Sequence, residues 1–335
     1  MKLQGKYLKE ASAIHQPGRF DGSRHVGWKS PSNIALVKYW GKKEMQIPQN
    51  PSLSFSLKNS FTETSVEYSL KKHDQPALEF YFEGENKPDF KRRIQKFINH
   101  LDPYMPFLRE LDMKIDSVNS FPHSSGIASS ASAMSALALC FVSIENNLFG
   151  TQKNRGAFFR KASFLARLGS GSAARSVYGS FVLWGKSTSV PFSDDEMGVQ
   201  VQFPVQNGSL DLADAILITS QREKKVGSSA GHSQMENHPW AENRYNQARE
   251  HLESLMKAMI NKDDDQFIRI IEREALSLHA LMMTSDKGFT LMNENTWKII
   301  KAVRDFREQQ KIFVAFTLDA GPNVALEAVH ERLLG

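Results

Sequence analysis

The sequence predicts an α+β protein made of two lobes. First, segments with the pattern of strands and segments with the pattern of helices follow one another without a regular strand–helix–strand repeat. Second, the chain has 335 residues, of which 41% are hydrophobic, so it is long enough for two domains with a substantial core. Third, proline and glycine interrupt the pattern between residues 185 and 210, and these residues mark turns and loops.

The interruption at Pro191, Pro204 and Gly208 sets the domain boundary that we predict. The chain divides into an N-terminal extension, a first domain and a second domain: residues 1–27, 28–205 and 206–335. The extension is polar and irregular in pattern, and the sequence assigns it no function.

The first domain is predicted to contain strands and two helices. Strand patterns cover four segments: 28–37, 64–70, 78–84 and 114–119. One helix begins at Asp89, because apolar residues recur there at helical spacing. Its apolar stripe is Phe90, Ile94, Phe97, Ile98 and Leu101. A second helix, rich in small residues, is predicted over Ser130–Val142.

The second domain is predicted to hold a strand over Asp214–Ser220, then three amphipathic helices, then a buried strand over Ile312–Leu318. Asp263 and the two aspartates after it can cap the second of these helices. The helices are marked by Tyr245, Ala248, Leu252, Leu255, Met256 and Met259, then Phe267, Ile271, Ala275 and Leu278, then Trp297, Ile300 and Val303. His279 falls on an apolar helix face, which favours a buried core histidine over one that lines a cleft.

Composition excludes several classes of partner. The net charge is +5, but basic residues alternate with acidic ones and no nucleic-acid-binding motif is present, so we expect no nucleic acid partner. A mild positive balance fits phosphorylated ligands equally well. The single cysteine, Cys140, forbids an internal disulfide and is predicted to be a buried thiol. No signal peptide or bilayer-spanning run is evident, so we expect a soluble, cytoplasmic protein without a membrane partner.

Asp319 is the strongest candidate for a catalytic side chain. It follows the apolar run Ile312–Leu318, and Gly321 and Pro322 end the strand at once. A carboxylate on a rigid strand end is well placed to contact a substrate hydroxyl. The alternative, weighted equally on this motif alone, is an aspartate that caps a helix over Val324–Leu334.

A second candidate is the small-residue loop Pro122–Ser132, which opens a helix. Small residues let a backbone approach a ligand closely, and a helix N-terminus presents free N–H groups to phosphate. The Gly-Lys-Ser/Thr ending of a Walker A loop is absent. The alternative is a serine-rich helix cap with close packing.

Two further segments carry charge beside small residues or at a strand end. In the segment Ala166–Ser176, Arg175 follows a glycine- and serine-rich stretch, and a guanidinium can bind carboxylate or phosphate at two points. In the segment Ser32–Lys42, lysines follow an apolar strand, where they can bind phosphate. Each motif alone could equally be a surface ion pair or a solvated turn.

Together, in this order, these four segments resemble the diphosphomevalonate decarboxylase branch of the GHMP kinase superfamily. The resemblance covers roughly residues 28 to 326, with a weaker fifth match at Gly227–Gly231. It implies the GHMP kinase fold: an N-terminal, ATP-binding lobe like ribosomal protein S5, a C-terminal α/β sandwich lobe, and the active site in the cleft between them. It also implies ATP and Mg²⁺ as cofactors, a phosphorylated mevalonate as substrate, and a homodimer.

The resemblance assigns a role to each candidate residue. The residues implied to be catalytic are Asp319 at the C3 hydroxyl, Lys38 at the transferring phosphoryl group, Arg175 and Asn33 at the carboxylate, and Ser130. The residues implied to bind ATP are Pro122, His123, Ser124, Ser125, Gly126, Ala128, Ser129 and Ser130, with Ser130 also near Mg²⁺. The residues implied to bind substrate are Tyr39, Lys42, Ser170, Ser172, Arg175, Ser228, Ser229 and Ala320.

The sequence departs from the family pattern in a few places, and alternatives remain open. Ala174 stands where the family commonly has cysteine, and His123-Ser124-Ser125 replaces a more familiar Thr-Ala-Ala run. Family members usually continue further beyond the aspartate motif. A phosphomevalonate decarboxylase or a mevalonate 3-kinase would use the same fold. A catalytically silent ligand-binding homologue is the alternative from another class, and it is disfavoured by the presence of Asp319.

Overall fold

The computed structural model describes residues 2–14, 16–122, 128–203, 212–220 and 228–329, the side chains of 228–230 and of 329 excepted. Within these residues the strands form two sheets, and helices pack against each sheet. This arrangement confirms the predicted α+β class.

The larger sheet lies in the N-terminal region and has seven strands. They are β1 (Arg24–Ala35), β2 (Ser52–Leu70), β3 (Leu78–Phe82), β4 (Glu85–Asn86), β5 (Leu111–Asn119), β6 (Phe181–Trp184) and β7 (Gly198–Val201). β2 pairs antiparallel with β1 on one side and with β5 and β6 on the other. β3 and β5 pair in parallel. The long β2 therefore connects both halves of the sheet.

Five helices accompany this sheet: α1 (Leu3–Ser12), α2 (Pro88–Leu101), α3 (Ser129–Phe149), α4 (Arg155–Gly169) and the short α5 (Ala173–Ser176). The first hydrophobic core lies between these helices and the sheet. Cys140, on α3, is fully buried, as predicted.

The smaller sheet lies in the C-terminal region. Its strands are β8 (Leu212–Leu217), β9 (Ala315–Thr317) and β10 (Val324–Val329), with β10 in the middle and all pairs antiparallel. The helices of this region are α6 (Ser228–Ser233), α7 (Ala241–Asn261), α8 (Asp264–Met283) and α9 (Glu294–Gln310). Asp263 caps α8 through its side chain, as predicted.

The two regions share a hydrophobic cluster. Leu36 and Val37, just beyond β1, pack in this cluster with Ile271 of α8 and Ala315 of β9. Burial of these apolar side chains from both regions fixes the end of β1 against the end of β9.

Four expectations from the sequence are wrong in detail. Residues 3–12 form a helix rather than an irregular segment, because Tyr7 and Ala11 share one face and are buried. Val324–Val329 is a strand, so Asp319 does not cap a helix there. Within the run Ile312–Leu318, only Ala315–Thr317 is strand. The expectation that no apolar run is long enough to span a bilayer is also wrong, because helix α3 has the length and apolar character for it. This helix is mostly buried in the protein, and core packing accounts for its apolar character.

Candidate active site

A buried ion pair joins the two regions at the centre of the site. The chain leaves β1 at Ala35, passes the buried Val37, and delivers Lys38 to the cleft. Asp319 follows β9 by two residues. Lys38 Nζ donates to Asp319 Oδ1 over 2.8 Å, with the lysine side chain 2% exposed and the aspartate 25% exposed. The carboxylate therefore still reaches the cleft, while the ammonium is almost enclosed.

The turn that carries Asp319 is fixed on several sides. The Gly321 amide donates to the Asp319 carbonyl over 2.6 Å, and His279 Nε2 donates to the same oxygen over 3.2 Å. Asn323 Oδ1 accepts the Thr219 amide over 2.8 Å. His279 is thus a buried core histidine, as predicted, and it also supports this turn.

Arg175 and Asn33 form a second buried group in the N-terminal region. Arg175 Nε donates to Asn33 Oδ1 over 3.2 Å, and Asn33 Nδ2 donates to Ser176 Oγ over 2.7 Å. Arg175 Nη1 donates to Ser52 Oγ, and that hydroxyl donates to the Val37 carbonyl over 2.5 Å. Arg175 is therefore connected through Ser52 to the backbone just before Lys38.

Arg175 carries a positive charge that no described carboxylate pairs with directly. It is 3% exposed, and its hydrogen bonds within the described residues go to neutral oxygens. Burial lowers the pKa of its guanidinium to about 10, against the opposing effect of Asp319 and Tyr39. A buried cation held in this way is suited to an anionic ligand that enters the cleft.

Tyr39 lines the same cleft as an aromatic wall. Its ring lies between Trp184 and His232, with centroids 4.7 and 4.3 Å away. Its hydroxyl is buried, and no described group hydrogen-bonds to it. Burial raises the pKa of this phenol. A Cβ on Gly171 would lie 3.0 Å from the Tyr39 hydroxyl and 2.7 Å from the Trp184 ring, so this position requires glycine.

His232, which the sequence reasoning missed, holds the backbone after Tyr39. Its Nδ1 accepts the Gly41 amide over 3.1 Å, so this nitrogen carries no proton. Burial, with Lys42 as a smaller influence, lowers the pKa of the imidazole to about 3. Lys42 donates to Gln46 Oε1 over 2.9 Å, and burial lowers the pKa of this ammonium as well.

The N-terminus of α3 lies beside Ser170, in the glycine- and serine-rich segment Ala166–Ser176. Ser130 is exposed, and its hydroxyl lies 3.5 Å from the Ser170 hydroxyl. Ala128 adopts a left-handed conformation (φ 45°), and no side chain of the described residues caps the helix. Uncapped N–H groups and a nearby serine hydroxyl fit phosphate oxygens and, through Ser130, Mg²⁺.

The other predicted ligand-binding residues lie around these groups or cannot be described. Pro122 is exposed before the loop, Ser129 and Ala320 are half-buried, and the Ser172 carbonyl accepts from Asn33 Nδ2 over 3.5 Å. The remaining predicted residues lie outside the described parts of the chain: His123, Ser124, Ser125 and Gly126, and the side chains of Ser228 and Ser229.

Two carboxyl groups that the sequence reasoning missed lie near the ion pair: Glu327 is fully buried and Asp214 is half-buried. Asp214 of β8 and Glu327 of β10 are direct cross-strand neighbours. Oδ1 of Asp214 and both Glu327 oxygens are buried without a donor among the described groups. Burial raises the pKa of Asp214 to about 6 and that of Glu327 well above its usual range, and each carboxyl also senses Lys38 and Asp319. A proton shared between them makes a hydrogen bond that two ionised carboxylates cannot make.

Comparison with known protein families gives two matches that span most of the chain. Residues 30–196 match the model of the diphosphomevalonate decarboxylase-like N-terminal domain. Residues 215–333 match that of the mevalonate 5-diphosphate decarboxylase C-terminal domain.

Individual relatives agree with these matches. The chain is 31% identical over 326 residues to diphosphomevalonate decarboxylase of Candida albicans, covering 91% of this chain and 85% of that protein. It resembles mevalonate diphosphate decarboxylase of Staphylococcus aureus (TM-score 0.78, 31% identity, 93% and 90% covered). It is similar to a protein designated MDDEF, solved with MVAPP, AMPPCP and magnesium (TM-score 0.78, 29% identity, 93% and 91% covered).

Proposed function

Because this chain belongs to the diphosphomevalonate decarboxylase family, we propose that it catalyses ATP-dependent decarboxylation of (R)-5-diphosphomevalonate. The products are isopentenyl diphosphate, ADP, phosphate and CO₂. The solved relatives confirm the GHMP kinase fold that the sequence predicts. The observation that carries the proposal is the Lys38–Asp319 pair beside a buried Arg175 that bonds only neutral oxygens among the described groups.

The chemistry sets two requirements that these residues meet. A tertiary hydroxyl is a poor leaving group, and Mg-ATP, when bound, supplies the phosphoryl group that makes it a good one. As the resulting phosphate departs, positive charge develops on C3, and the electrons of the bond to the carboxylate form the double bond while CO₂ leaves. The site must therefore promote phosphoryl transfer and hold the carboxylate in place.

Asp319 and Lys38 serve the first requirement. Asp319 orients the C3 hydroxyl and accepts its proton, and Lys38 stabilises negative charge on the transferring group. Their 2.8 Å contact holds the carboxylate in place toward the cleft. Once the hydroxyl has been phosphorylated and Asp319 has released the accepted proton to solvent, the regained negative charge of its carboxylate favours the cationic carbon.

Arg175 serves the second requirement, with Asn33 beside it. A guanidinium held by Asn33 and Ser52 is fixed before substrate arrives, so it can bind the carboxylate at two points without reorganisation. The diphosphate then lies toward Tyr39, Lys42, Ser170 and Ser172, with Ser228, Ser229 and Ala320 completing the contact in this proposal.

The nucleotide is proposed to bind at the N-terminus of α3. Pro122 to Ser130 surrounds its phosphates, and Ser130 contributes a hydroxyl to Mg²⁺. The first turn of α3, which no described side chain caps, supports this placement. MDDEF was solved with AMPPCP, an ATP analogue, and magnesium, which supports ATP and Mg²⁺ as the ligands of this chain.

We further propose a cytoplasmic homodimer. The single, buried Cys140 fits a reducing compartment. The family resemblance motivates the proposed dimer, and the molar mass of the purified chain, measured by light scattering, tests it.

The decisive experiment incubates the purified chain with Mg-ATP and, separately, mevalonate, phosphomevalonate and diphosphomevalonate. ADP and CO₂ are measured together, with an Asp319→Asn variant as the control. Equal ADP and CO₂ from diphosphomevalonate alone would support the proposal. Equal yields from phosphomevalonate instead would change the substrate, ADP without CO₂ would indicate a 3-kinase, and neither product would indicate a silent binding protein.

A further inference from the structure

The backbone of Lys38 is held by side chains from the C-terminal region. Its amide donates to Glu274 Oε2 of α8 over 2.7 Å. Its carbonyl accepts from Arg244 Nη2 of α7 over 3.2 Å and from Asn50 Nδ2 over 3.1 Å. Both polar groups of this one peptide segment are therefore bonded to side chains far away in the sequence.

Glu274 and Arg244 also pair with each other at two points. Arg244 Nη1 lies 2.7 Å from Glu274 Oε1, and Nη2 lies 2.5 Å from Oε2. His251 Nδ1 lies 2.6 Å from Oε1. Burial alone would raise the pKa of Glu274, but Arg244 and His251 outweigh it and hold that pKa at about 2. Glu274 is thus a permanent anion with Lys38, Arg244 and His251 as its partners.

Stability does not explain why such a group is buried here. Glu274 is fully buried and Arg244 is 3% exposed, and a buried ion pair is often no more stabilising than apolar residues of similar volume. A two-point pair instead gives a defined geometry. The pair bonds the amide and the carbonyl of the residue whose ammonium meets Asp319.

We propose that Glu274 and Arg244 are positioning residues that fix the Lys38 backbone, so that its ammonium is correctly placed for phosphoryl transfer. The proposal rests on the function proposed above for Lys38. It makes helices α7 and α8, neither of which supplies a catalytic residue, part of the apparatus that aligns the reaction. A displacement of about 1 Å at such a group can cost on the order of 10²-fold in rate.

The test replaces the whole pair, so that no buried charge is left alone. The double variant Arg244→Met/Glu274→Met is compared with Glu272→Met/Arg307→Met. The control pair is also a carboxylate on α8 bonded to an arginine, with Arg307 Nη1 2.6 Å from Glu272 Oε1. No described hydrogen bond connects the control pair to Lys38.

We expect kcat of the Arg244/Glu274 double variant to fall at least tenfold, while the KM for diphosphomevalonate and the Kd for AMPPCP stay within about threefold. The control variant should keep the wild-type kcat. The variant Arg244→Lys, which keeps the charge but not the second hydrogen bond, should give an intermediate kcat. Equal loss of kcat in both double variants, or an unchanged kcat, would overturn the proposal.

A second readout does not depend on turnover. Hydrogen exchange of the Lys38 amide should accelerate at least tenfold in the Arg244/Glu274 variant and not in the control. Unchanged exchange would show that the pair does not hold this backbone. If the wild-type chain fails to turn over diphosphomevalonate, the proposed function fails, while the exchange measurement still decides whether Lys38 is held by the pair.

Discussion

The two walls of the cleft hold their charges in opposite ways. On the N-terminal wall, Arg175 is enclosed by neutral oxygens, and burial lowers its pKa to about 10. On the C-terminal wall, Asp319 pairs with Lys38, while Asp214 and Glu327 crowd behind it with raised pKa values. One wall thus holds a cation without a described counterion, and the other wall holds more carboxyl groups than it can ionise.

This difference in charge indicates which groups of a ligand each wall can bind. The isolated guanidinium fits a substrate anion, since a ligand carboxylate would supply the missing charge. The acidic wall fits a hydroxyl that loses a proton and a carbon that becomes positive. Four sets of substitutions test this contrast between the walls, in decreasing order of expected effect.

Removal of the carboxylate at Asp319 should have the largest effect. We expect Asp319→Ala to lower kcat by ~10²–10⁴ while the AMPPCP dissociation constant is retained, because the carboxylate acts on the hydroxyl and not on the nucleotide. Asp319→Asn keeps an acceptor for Lys38 and should be equally inactive. Loss of AMPPCP binding in both variants would assign a structural role to Asp319.

Removal of the isolated cation should separate turnover from stability. Arg175→Gln should lower turnover on the order of 10²-fold, whereas thermal unfolding should change little because a buried charge without a counterion is removed. Arg167→Gln is the matched control. Arg167 is also buried, with a pKa lowered to about 10 by burial, but it donates to the backbone carbonyls of Glu196 and Met45. The control should lose stability more than turnover, and an unfolded Arg175→Gln protein would contradict the assignment.

The crowded carboxyls should make stability depend on pH. The raised pKa values mean that the folded chain holds protons more tightly than the unfolded chain. The stabilisation of the folded state by this tightly held proton is therefore fully present below about pH 4. It is lost as the pH rises through about 6. Glu327→Gln should raise the free energy of unfolding at pH 8 by on the order of 1 to 3 kcal/mol, with little change at pH 4. Denaturation at both pH values checks this, with the exposed Glu308→Gln as the control; equal effects at both would exclude the shared proton.

The smallest effect is expected at Tyr39. Tyr39→Phe removes a buried hydroxyl that no described group satisfies, so stability should not fall. If that hydroxyl binds the diphosphate, the KM should rise by about 2- to 10-fold, the equivalent of one hydrogen bond. Tyr68→Phe is the matched control, since its hydroxyl is also buried without a described partner but lies in the first core. A KM change of the same size in both variants would remove Tyr39 from the substrate site.

Local patterns predicted the parts of the fold that depend on neighbouring residues. Periodicity located helix α2 and the long helices of the C-terminal region, and the cap of α8 followed from Asp263. Helix α1 was missed because Glu196, distant in sequence, accepts the Leu3 amide at its N-terminus over 2.6 Å. Val324–Val329 has good helix formers, but cross-strand pairing with β8 and β9 makes it a strand.

The candidate site also contains residues that local sequence patterns predicted and residues that only long-range contacts reveal. The position of Asp319 at a strand end could be predicted from the apolar run before it, and the resemblance suggested its role. Its contact with Lys38 joins residues 281 positions apart, which no local pattern specifies. Glu274 and Glu327 look like ordinary charged residues in the sequence, and only the structure shows that they are buried.

The position of β10 in the smaller sheet has a consequence for how the protein is made. β10 is the middle strand, yet the ribosome synthesises it after β8 and β9, whose described pairings are both with β10. Until it emerges, both earlier strands lack the partner with which they are described as pairing. The sheet that carries Asp319 toward Lys38 is therefore complete only after β10 has left the ribosome and has paired with β8 and β9.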